Sequence, residues 1–308
     1  MRMTAPPAGT KTDAAAIRTV RTRALMAGMV ACLLGLSMPA PAADLPFLPQ
    51  FAGAYAAGGG ANATFAQIDS SWHGSQVLWN ESDESYGTGS AIGSYAWGTG
   101  LWGLADWRTA QHALQAPGDV GAPPIIRSWV GLAPTVNFSN ALYNTDYAGT
   151  WGLAELAPIF GATDSASAQE NWTVHLQGYI RIVEAGAYNF SVLNDDGFFL
   201  SLTGAGGSTV AIGRDFLNAR DRTGFSDNLV LAPGLYGLEL GMWNRLEAGV
   251  VDLRWQTPGS SDWSLVPTTH LLSISAVPEP AGAALFLAGL GALAVWRQRS
   301  AESRGRRA

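Results

Sequence analysis

The 308-residue chain has one cysteine, one lysine and four histidines. A single thiol excludes an internal disulfide framework and a cysteine-ligated zinc site, so stability must come from packing and bound ions. His73, His112, His175 and His270 are far apart and form none of the short-spaced histidine pairs of zinc hydrolases. Charge is also scarce, at 14% of residues. Between residues 44 and 278, 21 acidic side chains face eight arginines and no lysine, for a net charge of about −13. An acidic body of this kind repels phosphate backbones, which excludes nucleic acid as a partner. Enzyme signatures are thin. Gly98-Thr99-Gly100-Leu101-Trp102-Gly103 formally satisfies a dinucleotide fingerprint but has no βαβ unit around it, and Glu81, Asp83 and Glu84 read as a solvated acidic loop.

In place of these the chain has 37 glycines, 16 prolines and 12 tryptophans, and 47% of it is hydrophobic. That much apolar surface excludes simple disorder, and the composition favours strands and turns over long surface helices.

The two ends read as addresses. Arg18, Arg21 and Arg23 precede the apolar run 24–38, and Ala40-Pro41-Ala42 supplies the small residues that signal peptidase prefers, so residues 1–43 are expected to be a signal peptide. Cys32 lies inside that run, and the exported protein would carry no cysteine. At the other end, residues 275–308 contain Pro278-Glu279-Pro280, the apolar stretch 281–296, and Arg297, Arg299, Arg304, Arg306 and Arg307. The prolines stop the body's structure from running on, the apolar stretch reads as a short membrane helix, and the arginines hold its end on the cytoplasmic side. This array resembles the PEP-CTERM sorting signal of Gram-negative bacteria that make exopolysaccharide. The resemblance implies an inner-membrane-anchored precursor, cut near Pro-Glu-Pro by an exosortase and passed to the cell surface or extracellular matrix.

The body reads as all-β. Residues 44–128 are rich in Gly and Trp and are expected to be a β lead-in or extra strands, with a soft boundary near 128. Beyond it, Val174, Leu176, Gly178 and Ile180 alternate with His175, Gln177, Tyr179 and Arg181, and further short strands follow between Gly- and Pro-containing turns. Strands this short, without intervening helices, predict an antiparallel β-sandwich. The succession Gly178-Tyr179-Ile180, Gly186-Ala187-Tyr188-Asn189-Phe190, Asn194-Asp195-Asp196-Gly197, Ala232-Pro233-Gly234-Leu235-Tyr236 and Val251-Asp252-Leu253-Arg254-Trp255 resembles the PA14 domain over residues 129–274.

Adjacent carboxylates on a loop repel each other unless they are solvated, hydrogen-bonded or bridged by a hard cation, so Asp195 and Asp196 either hold a metal or shape the turn before Gly197. The PA14 resemblance implies Ca2+ at these aspartates. It places Asn244 as a third ligand; Arg245 on the same loop and the aromatic face of Trp243 beside it are candidates for sugar contact, while Trp72, Trp79, Trp97, Trp102 and Trp107 read mainly as packing. The expected function is a non-enzymatic, exported protein that binds an extracellular polysaccharide or glycan, with exosortase and signal peptidase as processing partners and the inner membrane as a transient one. A structural matrix or adhesion protein without specific sugar binding, and a glycan-active enzyme with an accessory module, remain as alternatives.

Overall fold

The computed structural model describes residues 47–72, 77–80, 85–88, 100–215 and 220–276. The expected signal peptide, the acidic loop of Glu81, Asp83 and Glu84, and the Pro278-Glu279-Pro280 motif with its apolar stretch and arginines lie outside them. Among the described residues no helix is long and apolar enough to cross a membrane.

The chain begins with β1 (Phe51–Ala52), β2 (Ala61–Ile68), β3 (Val77–Asn80), β4 (Ser85–Thr88) and helix α1 (Leu104–Gln115). It continues with β5 (Ile125–Ala133), β6 (Asn137–Ser139), the short helices α2 (Ala141–Asp146) and α3 (Ala148–Trp151), and β7 (Glu155–Leu156). Then come β8 (Trp172–Ile182), β9 (Gly186–Asp195), β10 (Gly197–Thr203), β11 (Thr209–Arg214) and β12 (Asp221–Gly224). The last strands are β13 (Leu229–Leu231), β14 (Gly234–Asn244), β15 (Val250–Gln256), β16 (Ser264–Leu265) and β17 (Leu271–Leu272). The larger sheet runs β11-β10-β14-β8-β2-β5, with β1 on β14 and β17 on β8. The smaller runs β12-β9-β15-β6-β7, with β13 on β9 and β16 on β15.

The period-two alternation builds the core. Along β8, Val174, Leu176, Ile180 and Ile182 are buried while His175, Gln177, Tyr179 and Arg181 line the opposite face. Phe65, Trp172, Val174 and Leu240 of the larger sheet share one apolar cluster with Phe138, Phe190, Val192, Leu253 and Trp255 of the smaller. This is a β-sandwich, and its pairings are antiparallel except for β6 with β7.

Two features depart from the sequence reading. The boundary drawn near 128 falls inside β5, and β2 lies between β8 and β5, so of the two readings of residues 44–128 it is an extra strand of the sandwich and not a lead-in. Pro123-Pro124 marks the start of a strand, not the edge of a unit. The second departure is α1, in a region read as strands. It contains no Gly or Pro, and its buried Trp107, Ala110, Gln111 and Ala113 fall at helical spacing. Trp107 Nε1 donates to the Val174 carbonyl (3.1 Å) and Gln111 Nε2 to Thr173 Oγ1 (2.9 Å), which docks α1 on the outer face of the larger sheet.

Candidate functional site

Strand β9 belongs to the smaller sheet and β10 to the larger, so the link Asp195-Asp196-Gly197 crosses between sheets at one end of the sandwich. The crossing is tight. The Asp195-Asp196 peptide bond is cis, and a Cβ on Gly197 would lie 2.2 Å from the Trp243 ring and 2.8 Å from the Arg214 carbonyl oxygen. Register brings β14 to the same place, with Trp243 opposite Gly197 and Asn244 opposite Trp172.

Both aspartates are withdrawn from solvent, at 2% and 3% exposed. Asp196 is clasped by the backbone on either side of Asn244: its N–H donates to the Trp243 carbonyl (3.0 Å) and its Oδ2 accepts from the Arg245 N–H (2.7 Å). Asp195 Oδ2 accepts from Arg220 Nε (2.7 Å), and the Arg220 guanidinium lies 3.5 Å over the Tyr147 ring centre. Burial, the Asp196 charge and a hydrogen bond from Asp196 raise the Asp195 carboxyl to about 8, against the opposing pull of Arg220. Arg220 at Asp195, and Arg245, whose charge interacts with that of Asp196, still leave the Asp195 carboxyl raised, so the pair retains a proton or calls for a further cation.

Asn244 is also buried. Its Nδ2 donates to the carbonyls of Leu246 and Ala248, each at 3.0 Å, and pins the turn between β14 and β15. Its Oδ1 has no hydrogen-bond partner among the described residues. A buried acceptor left bare costs about 1–3 kcal/mol unless something supplies positive charge. The turn is braced from outside by Asn140, whose Oδ1 accepts from Gly249 N–H (3.1 Å) and whose Nδ2 donates to the Glu247 and Gln169 carbonyls (2.6 and 3.1 Å).

The oxygens on offer, two carboxylates and an amide carbonyl, are the hard donors that Ca2+ selects, with backbone carbonyls or water left to complete six to eight ligands. Among the described residues no group of three or more His, Cys, Asp or Glu side chains gathers, which removes a zinc-type site but leaves an oxygen set containing an amide. The residues present therefore fit calcium.

Two expected ligand contacts are corrected. Trp243 is fully buried in a cluster with Ile68, Leu101, Trp107 and Ala110, so its ring has no face for a sugar. Arg245 is 7% exposed and its guanidinium lies 4.1 Å over the Trp102 ring centre, so it serves packing. Burial lowers its pKa, opposed by Asp196 and Glu170. The segment carrying Trp102 is seated by Asn171, whose Oδ1 accepts from Leu101 N–H (3.2 Å). Gly100 has φ +86°, and a Cβ there would lie 2.2 Å from Asn171 Oδ1. Sequence reasoning missed Arg220, Tyr147 and Asn140. Arg220 had one faint signal, as one of only eight arginines in an acidic body.

Residues 276–300 match the PEP-CTERM protein-sorting motif. The chain carries a PEP-CTERM sorting signal. No curated protein matches it in sequence. Among solved structures it is similar to an anti-sigma factor domain-containing protein from Clostridium clariflavum, with 16% identity over 73% of this chain and 52% of that one and a TM-score of 0.39. It is also similar to a PA14 sugar-binding domain from an RTX adhesin, with 16% identity over 70% and 99% of the two chains and a TM-score of 0.37. A third is the epithelial adhesin 6 A domain from Candida glabrata in complex with Galβ1-3GlcNAc, with 14% identity over 74% and 93% and a TM-score of 0.42. The chain spans about half the length of the first two structures it matches, 52% and 43%.

Proposed function

We propose that this chain is an exported, non-enzymatic carbohydrate-binding protein, processed by an exosortase at the Pro278-Glu279-Pro280 signal and presented at the cell surface or in the extracellular matrix. Its loop site would hold Ca2+ through Asp195, Asp196 and Asn244, and a bound calcium supplies a Lewis-acidic centre for vicinal sugar hydroxyls. The observation that carries the reading is the bare, buried Asn244 Oδ1 in the turn that clasps the Asp196 carboxylate. Asp195 and Asp196 bring the negative charge, Asn140 holds the turn, and Trp243, Arg245 and Trp102 form the packed support behind it. Calorimetric titration of Ca2+ into the full-length chain, followed by a glycan array with calcium and with chelator, tests it. Saturable binding lost in Asp196→Ala, with a chelator-sensitive glycan signal, is the expected result; no calcium binding would overturn it.

One observation favours the structural-matrix reading. Strand β5 pairs only with β2 among the described residues and presents Ile126, Val130 and Leu132, at 53%, 75% and 50% exposed, with no lysine or proline along it. Such an edge is suited to strand-on-strand assembly. Concentration-dependent association in sedimentation, abolished by Val130→Lys, would support that role.

A further inference from the structure

The outer face of the larger sheet holds a groove of about 270 Å3 that the loop site does not use, lined by Gln50, Gln177, Tyr179, Thr203, Glu239 and Ile274. Strand register places these groups. Glu239 on β14 stands opposite Gln177 on β8 and Ser201 on β10, while Gly237 stands between Tyr179 and Thr203. Gly237 adds no side chain of its own to the floor, and Gln50 Oε1 and Thr203 Cβ lie against it, 3.0 and 3.2 Å from where a Cβ would stand. Side chains of fixed geometry form the walls. The Tyr179 ring is held edge-on by Phe51, with centres 5.7 Å apart. Glu239 Oε1 lies 2.9 Å from His175 Nε2, and that hydrogen bond keeps the carboxyl below its ordinary range and therefore ionised. Among the described residues no hydrogen bond engages the side-chain amides of Gln50 or Gln177.

We infer that this groove is a second binding site, specific for a neutral glycan and independent of calcium. Gln177 and Glu239 offer an amide and a carboxylate at the spacing of neighbouring strands, about 4.8 Å, and Gln50 brings a second amide from the bend before β1, a set of donors and acceptors suited to hydroxyls along a sugar chain. The Tyr179 ring adds an apolar surface for sugar C–H groups. Ionised Glu239, in a body of net charge about −13, disfavours acidic polysaccharides. The groove is distinct from the loop site: Glu239 and Asn244 are five residues apart on β14, about 17 Å. Trp107 packs between them on His175 and Phe199, with ring centres 5.1 and 4.8 Å away. The inference does not rest on calcium occupying the loop.

The test is retention of the full-length chain on immobilised neutral glucan, galactan and mannan in EDTA. Retention on at least one of them is expected, unchanged in Asp196→Ala and weakened about tenfold in Gln177→Ala and in Glu239→Gln, the loss set by one or two hydrogen bonds. Gly237→Leu fills the floor and should abolish retention; if it fails to fold, the two wall variants still decide. No retention on any of the three polymers in EDTA, or retention that both wall variants leave intact, overturns the inference. Calcium-dependent binding can fail or succeed separately.

Discussion

Replacing Asn140 by alanine tests whether a single amide organises the loop site. Asn140 is fully buried and uses its whole hydrogen-bonding capacity. Its Oδ1 accepts from the Tyr143 and Gly249 N–H groups, at 3.0 and 3.1 Å, and its Nδ2 donates to the Gln169 and Glu247 carbonyls, at 3.1 and 2.6 Å. The residue thus ties together the start of α2, the segment before β8 and the turn after β14. Alanine deletes all four bonds. The N-cap bond is worth about 1 kcal/mol, the other three about 1 kcal/mol each, and partial relaxation of the loops brings the expected loss to about 2–4 kcal/mol. Urea unfolding followed by tryptophan fluorescence would read this as a lower midpoint at unchanged slope. A loss below about 1 kcal/mol would refute the reasoning. Asn140→Asp sharpens the test, because it keeps the acceptor but aims a second oxygen at two carbonyls. It should therefore cost at least as much as alanine. Asn244 pins the same turn, so Asn140→Ala should also weaken calcium binding.

Asp195 supplies a pH dependence. Its carboxyl stands at about 8 in the fold and near 3.9 in an unfolded chain, roughly. Between those values the calcium-free fold holds a proton that the unfolded chain has released, so stability falls as pH rises and levels off above about pH 8. Calcium bound as proposed would expel that proton, so the gain in melting temperature from added calcium should grow from about pH 5 to about pH 8; a gain flat in pH argues against calcium at this carboxyl. Gly197→Ala places a Cβ 2.2 Å from the Trp243 ring, and the crowding should cost about 1–3 kcal/mol in chemical denaturation. Asp252 accepts from Arg222 (2.8 Å) and Arg254 (3.0 Å) on the outer face of the smaller sheet. Asp252→Ala strands two largely buried guanidiniums and should lower stability by about 3 kcal/mol, whereas a change within about 0.5 kcal/mol would mean that solvent already screens the pair.

The sandwich was legible because its core strands obey a period of two over long runs. Val174 to Ile182 needs no partner to announce which face is buried. The Asp195-Asp196-Gly197 link was legible for a similar reason: two carboxylates before a glycine are rare in a chain so short of charge. Asn244 was placed by family resemblance, and the structure adds what sequence could not, an amide oxygen buried without a donor. The misreadings share one cause. Trp243 looked available for a sugar because it adjoins the proposed ligand Asn244 in sequence, but α1 and the segment around Leu101 fold over it. Nothing local in Leu104–Gln115 says that it will lie on that face.

By itself the sequence determined the address, the strand content and the acidic, cysteine-free character of the body, because charge runs, apolar runs and alternation are local properties of a chain. Tertiary structure alone decided which donors and acceptors meet. Arg220 meets Asp195 across 25 residues and Asn140 meets Gly249 across 109. Such pairings depend on strand order and register, and no local preference encodes them.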